Sequence, residues 1–383
     1  MRYSFRLAEL LGHVPDPRKR PGTIKSIVEY TGLDRHQVAA LLKNEVKYIP
    51  LKALSRLCDF LIEHGHCSAD KLPGALFSIE PENFWELLAR RNRLQLSLGV
   101  RRELDQDNPD VCYVVASDSV LLGEILNGVT TLGGTAHYRE SGQMGDTNST
   151  LVPRPEHVKQ SLVWSPGQAA QEEVLERANS VYEEFSESSS DKALVCIGST
   201  KSNPVVELIL ASAFGCEPYQ TQDTVNKAID RKVPFFIRYR DQDPQPPSCV
   251  GGTQLSQTEK AEKPGIYYED AKGKWVHVSW EGPGQDAAFV FYIHRESHGR
   301  LEMTMGGFSG RGTRLLASTL ARRGEDFWPP VYEGQGIQVG AYIIQYSVSK
   351  DQHQAKDILR TDLTGDMNVI PISGEAIDRR MVI

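Results

Sequence analysis

The sequence has no run approaching the roughly 18 consecutive apolar residues of a membrane-spanning helix, and its opening, MRYSFRLAELLGHVPDPRKR, has too short an apolar stretch for a secretory signal. A cytoplasmic protein with no membrane partner is expected. It has no C-x-x-C pair either. Its six cysteines, Cys58, Cys67, Cys112, Cys196, Cys216 and Cys249, are scattered, which excludes a zinc ribbon or a thioredoxin-type redox pair and reads as reduced, mostly core thiols. Three ligand and nucleophile motifs are incomplete. Gly310 and Gly312 are not followed by a third glycine, because Leu315 stands there, and no G-K-[ST] follows. In Gly307-Phe308-Ser309-Gly310-Arg311, arginine replaces the second glycine of a G-x-S-x-G elbow. His64, His66 and Cys67 read as the C-terminus of a helix, and His294 and His298 lie on a strand pattern where their spacing need not converge. The expectation is no catalytic set, no cofactor and no metal.

Excess basic charge is also lacking: 43 Lys and Arg face 50 Asp and Glu, a net of −7 that argues against wholesale nucleic-acid binding. The average hides a polar distribution. Residues 1–65 hold 11 Lys and Arg against 7 Asp and Glu, a net of +4, which leaves 32 against 43, a net of −11, for residues 66–383.

What is there is a chain of 383 residues with 40% hydrophobic and 24% charged residues, enough for two or three ordinary globular domains. The first 65 residues read as short amphipathic helices over roughly 3–12, 23–31, 35–44 and 51–64, separated by Pro15, Pro17, Pro21, Gly22 and Tyr48-Ile49-Pro50. A further helix is predicted over 82–104, within a helical connector spanning 67–110.

The strongest local signal is TIKSIVEYTGLDRHQVAALLKNE, residues 23–45. Ile24, Ile27 and Val28 share one helix face, and Gly32 can take the left-handed conformation of a sharp helix end. Asp34 is placed as N-cap, with Gln37 at capping-box spacing. Val38, Leu41 and Leu42 then face inward. This segment, with its flanks from residue 1 to about 66, resembles the helix-turn-helix domain of lambda-repressor-like, Cro-type transcription regulators. The inserted DPRKRPG, residues 16–22, departs from that pattern and adds the basic Arg18-Lys19-Arg20. The resemblance implies that the second helix of the motif enters the major groove of double-stranded DNA, with Arg35, His36 and Gln37 reading bases. Thr23, Lys25, Lys43 and Lys47 would hold phosphates. It also implies two copies of the chain on a palindromic operator.

From Val111 onward the texture changes to apolar β-branched runs followed by helical patterns: VCYVVAS then VLLGEILNGVTTL, KALVCIGST then PVVELILASAFG, RLEMTMGG then TRLLASTLARRG. The predicted fold is therefore an N-terminal all-α helix-turn-helix domain, residues 1–66, followed by a Rossmann-like α/β sheet domain, residues 111–383. GIYYEDAKGKWVHVSW adds an antiparallel insertion. Residues 139–158, the Pro/Gln/Ser-rich 241–264 and the ends of the polar tail after about 350 read as mobile stretches. Two strand-to-helix turns are candidate sites for a small anionic or nucleotide-like effector: Gly198, Ser199, Thr200, Lys201 and Asn203 in one; Gly307, Ser309, Gly310, Arg311, Gly312 and Thr313 in the other. Together these features predict a DNA-binding transcription repressor with a ligand-sensing or dimerising domain. The alternatives are a nucleotide- or nucleoside-processing enzyme, or a defence-system sensor, with a DNA-targeting head.

Overall fold

A computed structural model describes residues 2–11, 22–43, 45–102, 111–133, 155, 157–187, 191–221, 231–255, 259–282, 284–295, 299–334, 336–348 and 365–381. Arg18-Lys19-Arg20, His298, most of 139–158 and residues 349–364 of the tail lie outside these. The chain divides into two compact units, one of residues 1–82 with 294–300 and 333–338, the other of 83–293, 301–332 and 339–383. No helix among the described residues is long and apolar enough to cross a membrane.

The first unit is helical, with α1 (Leu7–Leu10), α2 (Thr23–Thr31), α3 (Arg35–Leu42) and α4 (Leu51–Glu63). Where a helix over 3–12 is predicted, the chain instead opens with β1 (Arg2–Phe5), which pairs antiparallel with β2 (Phe77–Glu80). The Phe5 and Phe77 rings meet edge to face at 5.4 Å, so cross-strand pairing overrides the local helical pattern. Leu7, Ile27, Val38, Leu41, Leu57 and Leu61 form the center of the core, each at most 1% exposed.

The second unit is a mixed α/β domain. The helix predicted over 82–104 is not formed: α5 (Phe84–Ala89) is one short helix, and Arg93–Arg102 is strand β3. The reason is the alternation in RLQLSLGVRR, where Leu94, Leu96 and Leu98 are buried on one face, and Gln95 and Ser97 are buried on the other with hydrogen-bond partners. β3 pairs antiparallel with β4 (Cys112–Val114) and parallel with both β5 (His157–Trp164) and β6 (Lys192–Ile197). These belong to a nine-stranded sheet with β10 (Gln285–Arg295), β11 (Arg300–Gly307), β12 (Tyr332–Gly334), β13 (Ile337–Ser347) and β14 (Asp366–Pro371). The connecting helices are α6 (Ala116–Thr131), α7 (Gln171–Glu187), α8 (Val205–Phe214), α9 (Gly310–Arg323) and α10 (Gly374–Arg380). A separate three-stranded antiparallel sheet, β7 (Phe235–Arg238), β8 (Gly265–Glu269) and β9 (Trp275–Ser279), stands between α8 and β10 in the chain.

Candidate DNA interface and ligand turns

In the first unit, Gly32 ends α2 in the left-handed region at φ 74°, its N–H donating to the Val28 carbonyl. Asp34 Oδ1 accepts the Gln37 N–H at 2.8 Å, and Gln37 Oε1 accepts the Asp34 N–H at 3.2 Å. The capping box thus fixes the start of α3, and it uses the acceptor that a bidentate contact to adenine requires. Arg35 and His36 are exposed, and Gln37 is half-buried. Lys25, Lys43 and Lys47 are exposed and Thr23 is half-buried; Lys25 reaches Glu29 at 3.7 Å, both ends open to solvent. Gly22 precedes α2 without a side-chain cap, which leaves early N–H groups of that helix to solvent or to a phosphate. His64, by contrast, packs on Phe60, its ring centroid 4.2 Å away and its Nδ1 2.9 Å from the Phe60 carbonyl.

Residues 18–62 match the family model of the Cro/C1-type HTH DNA-binding domain. The match supports DNA-binding transcription regulation by this chain. No curated protein and no solved structure matches the chain. Removal of the Cro/C1-type segment's cap is expected to cost about 1 kcal/mol: Asp34→Ala and Gln37→Ala each lower the thermal midpoint of the helical unit, and an unchanged midpoint would show that α3 starts without the box.

In the second unit the two predicted turns do lie side by side. The Gly198 N–H donates to the Met305 carbonyl at 2.9 Å, and the Lys201 ammonium sits 5.9 Å from the Phe308 ring. Their polar groups are largely committed within the protein. Asn203, fully buried, donates to the Ser97 and Ile197 carbonyls at 3.0 and 3.2 Å, and its Oδ1 accepts the Val205 N–H. Ser199 receives the Ser202 N–H, Thr200 shares a 2.5 Å hydrogen bond with the Tyr239 hydroxyl, and Lys201 pairs with Asp243 at 3.1 Å. Burial lowers the Lys201 pKa.

At the second turn Ser309 caps α9, accepting the Arg311 and Gly312 N–H groups. Thr313 Oγ1 accepts the Gly307 N–H at 3.1 Å, Gly310 is exposed, and Arg311 is half-buried. The residue that sequence reasoning missed is Asp286, 1% exposed. It accepts the Ser309 hydroxyl, the Gly312 N–H at 3.0 Å and the Ala287 N–H at 2.8 Å. A carboxylate of the protein itself occupies the helix terminus where an anionic ligand was expected. Its signal in the sequence is a single acid heading the apolar run AAFVFYI.

Burial pushes the Asp286 pKa up to about 6, against the hydrogen bonds from Ser309, Ala287 and Gly312. The folded state therefore holds a proton that the unfolded chain releases near pH 4, so this group's contribution is present below about pH 4 and lost as pH rises to about 6. The free energy of unfolding should fall by up to about 3 kcal/mol across that window, and Asp286→Asn should remove that part of the slope. Equal slopes in the two proteins would place the titration elsewhere.

Proposed function

We propose that the protein is a sequence-specific transcription repressor in which the unit ending near Glu82 reads DNA and the following sheet domain senses a small molecule and pairs two copies of the chain. The observation that carries the reading is the capped α2–Gly32–α3 pair with Arg35 and His36 exposed at the start of α3, in the segment that matches the DNA-binding family. Arg35 suits guanine O6 and N7, His36 flanks it, and the exposed Lys25, Lys43 and Lys47, with Thr23, would hold backbone phosphates. So few cations give one copy weak affinity, which favours two copies on a palindromic site.

The parallel trio β5-β3-β6 supports a Rossmann-like reading of the sheet domain, and β7–β9 supports an antiparallel insertion. Ligand sensing rests on the 198–203 turn at the carboxyl end of β6, which meets the 307–313 turn that Asp286 holds from within. Selection from random DNA with the full-length protein is expected to enrich an inverted repeat. Recovery of unselected sequence would overturn the reading.

A further inference from the structure

A cavity of 310 Å³ opens in the second unit beside the residues that follow β5 and β6, in the size range of small-molecule sites. The chain leaves β3 on one side to form β5 and then crosses to the other side for β6. The carboxyl ends of strands at such a reversal are where open α/β sheets bind ligands. We propose that this cavity binds an uncharged, flat ring molecule bearing an N–H edge, and that this is what the sheet domain senses; the second clause rests on the regulator reading above.

Three features set the chemistry. The walls are rigid and apolar: Pro166, Pro204, Pro244, Pro246 and Pro247 line the cavity with buried Val174, and proline rings lose little conformational entropy when a flat ring packs against them. Among the described residues the lining holds no Lys, Arg or His, so a phosphate or carboxylate would be desolvated there without a counter-charge from them. It would also face Glu207, which is 1% exposed and accepts the Tyr219 and Cys249 N–H groups and the Ser248 hydroxyl. Burial raises the Glu207 pKa.

The hydrogen-bonding edge comes from Gln245 at the rim. Its Nε2 donates to the Arg240 and Asp243 carbonyls at 2.9 and 3.3 Å, which leaves Oε1 to accept from a ligand N–H. Tyr219 is held at a positive φ of 55°, its N–H on Glu207 and its hydroxyl donating to the Pro204 carbonyl. A non-glycine residue persists in that conformation where its surroundings over-determine it, so this wall stands ready before a ligand arrives.

The test titrates the full-length protein by calorimetry with adenine and indole as uncharged probes, and with adenosine monophosphate and inorganic phosphate as anions. Adenine and indole should bind, with the anions weaker. Ala169→Trp, which fills the cavity from its lining, should weaken both probes by at least about tenfold. Gln245→Leu, at an exposed position, should weaken adenine several-fold with only a small loss of thermal midpoint from its two hydrogen bonds, and serves if the tryptophan variant misfolds. Absence of binding by both uncharged probes at millimolar concentration overturns the proposal, as does tighter binding of an anion that Ala169→Trp abolishes. Probe binding without any change in operator affinity by gel shift would leave the cavity assignment standing and sink the sensing role.

Discussion

Arg35→Ala is expected to abolish sequence preference while the first unit keeps its thermal midpoint. Arg35 is exposed in the first turn of α3 and makes no hydrogen bond or ion pair among the described residues, so its truncation orphans nothing in the fold. One bidentate contact to guanine is worth about 1–3 kcal/mol, roughly five- to 150-fold in affinity for the preferred site. Binding to unrelated DNA, which rests on phosphate contacts, should change far less. Gln37→Ala supplies the contrast. Its Oε1 belongs to the capping box, so that variant should lose stability together with affinity. Unchanged operator affinity in a gel-shift titration of Arg35→Ala would remove α3 as the reading helix.

Gly312→Ala should destabilise the sheet unit by about 2–4 kcal/mol, whereas Gly310→Ala, two residues earlier on the same helix, should leave it nearly unchanged. A Cβ at Gly312 would lie 2.7 Å from the Ala287 carbonyl oxygen and 2.8 Å from Asp286 Oδ1, against backbone and a buried carboxylate that cannot withdraw. At Gly310 the nearest neighbor is the Ser117 hydroxyl at 3.4 Å, and alanine is the better helix former. If the glycines served an external anion, both variants would cost ligand affinity and neither would need to cost stability. Denaturant unfolding of the pair separates the two roles, and equal midpoints for both variants would overturn the internal role of Asp286.

The helix-turn-helix was legible because its determinants are local. A cap, a glycine in the left-handed region and apolar residues three and four apart all act within one or two turns, and α2, α3 and α4 fall where the periodicity places them. The β-clasp was not legible, since Arg2–Phe5 becomes a strand only when Phe77–Glu80 is beside it. β3 is a different kind of miss. Its alternation was there to be read, but leucines at 94 and 98 also fit a helical face, and burial of Gln95 and Ser97 follows from long-range partners. α7 was passed over although Val174, Ala178, Val181 and Phe185 recur at helical spacing. In the ligand turns the residue types were read correctly as hydroxyls, glycines and a cation. Their commitment to Asp243, Tyr239 and Asp286, all distant in sequence, could not be.

The placement of β3 bears on how the protein leaves the ribosome. The strands that clasp the helical core lie within the first eighty residues, so that head has its local partners early in synthesis. β3 is completed later: one of its two parallel neighbors, β6, is encoded almost a hundred residues downstream, from Lys192. At elongation rates of about 5–20 residues per second, that interval leaves β3 without β6 for about 5–20 s. During it the polar Gln95 and Ser97, which the finished sheet buries and satisfies, interrupt the leucines and make the nascent strand a poorer template for association with neighboring chains.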